Sequence, residues 1–206
     1  MKLRVVVLVM VACLLGSTCV HAGFVGIGPI SGMEATGDKG LITSINDIAV
    51  EDLVLGTTTF PNDPKHSQYP PEGADNFDLD MIGSADDQPY FDTMFDQGVA
   101  TVFLIENNGN DNGSVQALDE SGAPVNSVLD FVKSDYLKTG YKTTNNQTAS
   151  GLMLTTDSPV YGVRVLPPAD GTLGFDPVSV SAVVPEPMTV SLLGLGALAL
   201  MRRRRS

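Results

Sequence analysis

Val99-Ala100-Thr101-Val102-Phe103-Leu104-Ile105 is an almost unbroken apolar run, and its reading decides the fold class. A strand with one wet face alternates apolar and polar residues, so a run without alternation predicts a central strand covered on both sides. Asn107 to Gly113 follows, composed wholly of Asn, Asp and Gly. Those residues enter the positive-φ region at low cost, which predicts a turn. Ser114-Val115-Gln116-Ala117-Leu118 then reads as the returning strand of a hairpin.

Working outward, the same short β-rich texture recurs at Leu41 to Ile45, Asp52 to Leu55, Leu152 to Thr156, Val160 to Leu166 and Val178 to Val184. Gly and Pro punctuate the intervals, and no amphipathic helical period extends beyond ten residues. Seven or more short strands separated by turn chemistry predict an all-β body, a single β-sandwich or jelly-roll-like domain over residues 23–184. Phe60 to Gln97 differs, being rich in Pro and acid and poor in strand signals, and it reads as a long ordered loop.

Charge is placed unevenly over the 206 residues. The chain carries 24 acidic and 12 basic residues, but six of the basic ones lie at its two ends. Between Gly23 and Val184 there are 23 acidic and 6 basic residues, a net charge of −17. Such a body repels phosphate backbones and anionic lipid, which argues against nucleic-acid binding. Both cysteines, Cys13 and Cys19, precede residue 23, so a processed body holds neither disulfide nor thiol nucleophile.

The first 22 residues have a basic start (Lys2, Arg4), an apolar run from Val5 to Leu15 and a small-residue end, Val20-His21-Ala22. This is the pattern of a secretory signal peptide cut between Ala22 and Gly23, implying signal peptidase and the secretion machinery as partners. As a helix the apolar run spans about 16 Å, too short for a hydrocarbon core of about 30 Å. Cys19 lacks the Leu three residues upstream that a lipoprotein signal would carry.

Residues 185–206 form a second terminal unit. Pro185-Glu186-Pro187 interrupts regular structure, Met188 to Met201 is apolar or small, and Arg202, Arg203, Arg204 and Arg205 precede Ser206. Fourteen residues make a helix of about 21 Å, marginal for a permanent span but enough for transient membrane insertion with the arginines held on the cytoplasmic side. The order of motif, short apolar helix and basic cluster resembles the PEP-CTERM sorting segment of Gram-negative bacteria. That resemblance implies recognition of Pro185, Glu186 and Pro187 by a membrane-embedded exosortase, and release of the body to the cell surface or an extracellular exopolysaccharide matrix. A plain single-pass anchor is the alternative. Fragments such as Val160-Tyr161-Gly162-Val163-Arg164 and Gly174 to Val180 look like β-sandwich ectodomains of other PEP-CTERM surface proteins.

The body offers little catalytic chemistry to the eye. His66 is its single histidine and no serine sits in a Gly-x-Ser-x-Gly elbow, so a hydrolytic triad is not expected. Zinc sites draw on several Cys or His ligands, which are lacking. Calcium suits the composition better, because it takes six to eight oxygen ligands from irregular loops. Asp75, Asp78 and Asp80 are the candidate ligands, with Asp86 and Asp87 close behind. A second run, Asn108-x-Asn110-x-Asn112-Gly113 with Asp119 beyond it, follows EF-hand spacing in a neutral form. Tyr69, Tyr90, Phe91 and Phe95 are the aromatic group nearest the acidic loop, where a calcium-assisted sugar site or simple packing are the two readings. The expectation is a non-catalytic surface protein, with a calcium-dependent carbohydrate-binding module as alternative and a carboxylate-based glycan hydrolase behind it.

Overall fold

The computed structural model describes residues 23–38, 40–61, 88–125, 128–143, 146–168 and 176–185. In chain order the strands are β1 (Phe24–Pro29), β2 (Met33–Ala35), β3 (Ile42–Ile45), β4 (Ile48–Ala49), β5 (Leu53–Leu55), β6 (Thr57–Thr59), β7 (Phe91–Asn107), β8 (Gly113–Leu118), β9 (Leu129–Phe131), β10 (Leu137–Lys142), β11 (Thr148–Leu166) and β12 (Pro177–Val183). The described body is therefore all-β, with 3-10 turns only at Val50–Asp52 and Lys133–Asp135. None of its described helices is long and apolar enough to cross a membrane.

Two long strands organise everything else. β7 and β11 pair antiparallel from Val165↔Phe91 to Ala149↔Asn107. At about 3.3 Å per residue each would exceed 50 Å if straight, so both must bend for the chain to enclose a core. The bend lies where their register shifts, between Thr155 and Gly162. Gly98 and Pro159 meet there: a Cβ on Gly98 would sit 2.9 Å from the Pro159 Cβ, so only glycine accommodates the proline ring.

On either side of the bend the partners change. Beyond it, β7 is flanked by β12 and then β5, while β11 carries β1 and β10 on its outer edge. Before it, β7 pairs with β6, and the last residues of β11 pair with β8, which pairs with β9. All nine strands belong to one sheet. Phe91, Phe95, Val115, Phe131, Val163 and Val165 from one half share a cluster with Val102, Leu104, Leu152, Leu154 and Val180 from the other. The sheet thus folds over its own inner face, which is the sandwich.

A small separate sheet, β2-β3-β4, covers part of the outside. Its Met33, Ile42 and Ile45 join Phe103 and Ile105 of β7 in a second cluster. Alternate side chains of Val102 to Ile105 therefore enter different clusters, and every one of them is buried. This is the physical reason for the continuous apolar run.

Three local expectations change. β7 and β8 form no hairpin, because β11 lies between them in the sheet. Both edges of the second half of β7 are already taken by β11 and β12, so the chain crosses after Asn107 to the other half-sheet. Residues Phe91 to Gln97 are strand, with Phe91 and Phe95 in the core, rather than part of a loop. Leu152 to Thr156 and Val160 to Leu166 are one bent strand, not two.

Candidate functional site

Glu106 ends the apolar run with the same parity as Val102 and Leu104, so its side chain turns into the inner core and is 0% exposed. The Asn-rich turn curls back to meet it. Asn108 and Gly109 both adopt positive φ, at 92° and 59°. A Cβ on Gly109 would lie 2.5 Å from the Ser150 Cβ, so the approach demands glycine. The Gly109 N–H donates to Glu106 Oε2, and Oε1 accepts no hydrogen bond.

Burial, opposed by the Gly109 N–H and reinforced by Asp111 and then Asp176, pushes the Glu106 carboxyl up to about 9. At neutral pH the group is a carboxylic acid, and its proton can satisfy the neighbouring Asp111 side chain. Tyr136 stands beside it, 8% exposed, with an Oη that has no hydrogen-bond partner. Burial first, then the Glu106 and Asp111 charges, hold that phenol well above its ordinary value. Asn107 completes the cluster by accepting a 2.6 Å bond from Thr143 Oγ1. Glu106, Asn107 and Thr143 are all buried, so the cluster faces inward.

The EF-hand-like spacing does not assemble a site. Asn112 Oδ1 accepts the Lys133 N–H at 3.1 Å, and Asp119 lies at the far end of β8, about 20 Å away along the strand. There Asp119 caps its own turn, accepting the Ser121 N–H at 2.8 Å, the Ser121 Oγ at 2.6 Å and the Ala123 N–H at 3.0 Å. The Ser121 hydroxyl leads in holding its carboxyl below the usual range. Among the described residues no three His, Cys, Asp or Glu side chains are grouped to hold a metal ion. Asp75, Asp78, Asp80 and His66 lie outside the described residues.

The aromatic group is divided among other tasks. Phe91 packs against Phe60 with ring centroids 5.7 Å apart, and Phe95 is also buried. Tyr90 lies under the Arg164 guanidinium at 4.1 Å, while that guanidinium grips Asp92 through Nε–Oδ1 at 2.7 Å and Nη2–Oδ2 at 2.8 Å. Tyr69 is outside the described residues. No sugar platform forms from Tyr90, Phe91 and Phe95. A cleft of about 420 Å³ opens elsewhere, lined by Leu118, Asp119, Glu120, Ser121, Val125, Pro159 and Tyr161.

Sequence reasoning overlooked Glu106. Its signal was present in the phase of the apolar run itself: Val102 and Leu104 share the parity of Glu106, and an acid two residues further along that face has to enter the core.

At the other end of the sheet, β12 runs between β5 and β7, with Val183 paired to Leu53 and Thr101. Pro185 comes two residues later, so the PEP tripeptide leaves an interior strand without a linker. Ala22, Glu186, Pro187 and Arg202 to Arg205 lie outside the described residues. Residues 183–205 match the family model of the PEP-CTERM protein-sorting motif. No curated protein and no solved structure matches the chain. A motif that indicates exosortase-dependent export to the cell surface thus begins where β12, the last described strand of an all-β body, ends, and the chain carries a PEP-CTERM sorting motif at residues 183–205.

Proposed function

We propose that the protein is made with a removable leader, residues 1–22, and is processed by exosortase near Pro185-Glu186-Pro187. The body then serves as a non-catalytic β-sandwich at the cell surface or in an exopolysaccharide matrix. The observation that carries this reading is the motif match at residues 183–205, directly continuous with β12. The apolar stretch Met188 to Met201 pauses in the inner membrane while Arg202 to Arg205 resist translocation. A body net charge of −17 keeps it soluble and away from anionic surfaces. The non-catalytic reading rests on the body's lone histidine, His66, and the absence of a nucleophile elbow in the sequence.

Intact-mass measurement on protein recovered from the native host tests the reading. The expected species begins at Gly23 and ends close to Pro187. Material that retains residues 188–206 would favour the single-pass anchor instead. Replacing Arg202 to Arg205 by Ser should leave the body folded while unprocessed chain accumulates, read by fractionation together with mass. Processing equal to the parent's would remove the arginines from the mechanism.

A further inference from the structure

We infer that removal of residues 1–22 creates an α-ammonium at Gly23 that pairs with the Asp157 carboxylate, fastening the first strand to the bend of β11. The inference rests on the leader reading proposed above and adds a built acceptor for the new terminus. The Gly23 nitrogen donates to Asp157 Oδ1 at 3.3 Å, across 134 residues of sequence. The Asp157 N–H returns a bond to the Gly23 carbonyl at 3.3 Å. Phe24, the next residue, is 3% exposed and paired with Thr156, so Gly23 is held in register and does not swing free.

Hydrolysis of the Ala22–Gly23 peptide bond adds water across it. The C–N bond breaks, Ala22 departs as a carboxylate and the Gly23 nitrogen becomes –NH3+. A neutral amide donor with one hydrogen is replaced, at the same place, by a cation with three. The contact changes from an ordinary hydrogen bond to a charge-assisted one, which is shorter and stronger. A leader cut one residue earlier or later would displace the cation from Asp157, so the pair forms only when Gly23 is the first residue. Asp157 is solvent-exposed, so water moderates the pair.

The test uses exported protein whose N-terminus has been established by mass. The α-amino pKa of Gly23 is measured by NMR titration in the parent, in Asp157→Asn, and in protein that retains Ala22 as its first residue. An ordinary α-amino group titrates at about 7.7–8.0. The parent should lie above that range by about 0.2–0.7 units, the displacement expected of a solvent-exposed ion pair. Both other proteins should fall back into it, and the Ala22-retaining protein supplies the comparison if Asp157→Asn folds poorly. Equal values in all three would overturn the ion pair while leaving the leader reading intact. A mature chain beginning elsewhere than Gly23 would overturn both.

Discussion

Glu106→Gln should stabilise the folded body at neutral pH by up to about 3 kcal/mol and flatten much of its stability loss toward alkaline pH. In the unfolded chain Glu106 titrates at its ordinary value of 4.5, whereas in the folded body burial holds it near 9. Below the first value both states are protonated. Between the two, the folded chain retains a proton that the unfolded chain has released, so stability falls as pH rises, by about 1.4 kcal/mol per unit at most. Above the folded value both states are ionised and the slope from this group vanishes. Gln matches the shape, accepts the Gly109 N–H through its carbonyl and donates toward Asp111 through its amide, with nothing left to ionise. Denaturant unfolding of parent and variant at pH 5, 7 and 9 reads the result. The gap should widen steadily over that window. Parallel profiles would show that Glu106 is ionised in the folded body or is reached by water.

Phe103→Ala should cost about 3–5 kcal/mol, the usual range for deleting a buried aromatic ring. Phe103 is 1% exposed and packs in the outer cluster with Met33, Ile42 and Ile45. The sheet β2-β3-β4 has strands of three, four and two residues, too small to persist without a surface to pack on. Amide exchange should therefore accelerate first in Met33 to Ala49, while the inner face of the folded sheet keeps more protection. A loss below about 1 kcal/mol, or exchange raised uniformly, would mean that the small sheet is not seated through Phe103.

The sequence was most legible where burial is two-sided. Val99 to Ile105 could be assigned to a central strand because both faces had to be apolar, and the inner core and the small sheet supply those two covers. The strands β1, β2, β4, β6, β9 and β10 went unread because two to six residues carry too little periodicity, and β1 is further diluted by Gly26 and Gly28. Asn107 to Gly113 was correctly read as a place of positive φ. Local turn chemistry fixes the direction of the chain but not its next partner, which was decided by strands more than forty residues away. The same limit applies to Asn108, Asn110, Asn112 and Asp119, whose one-dimensional spacing was undone by the extended path of β8. The sorting segment was the reverse case: its chemistry is contiguous in sequence, so no fold was needed to recognise it.

The linker-free joint between β12 and Pro185 also determines how the body carries a mechanical load. Tension applied at the C-terminus runs along β12, whose bonds reach Leu53–Leu55 on one side and Thr101–Glu106 on the other. Those bonds lie across the pulling axis, so they are loaded together, in shear, instead of being unzipped one at a time. A terminal strand on a sheet edge would peel; an interior one has to slide against two neighbours at once. A body pulled or tethered from that end is gripped through a strand with neighbours on both sides, and its resistance is set by how firmly β12 holds to β5 and β7.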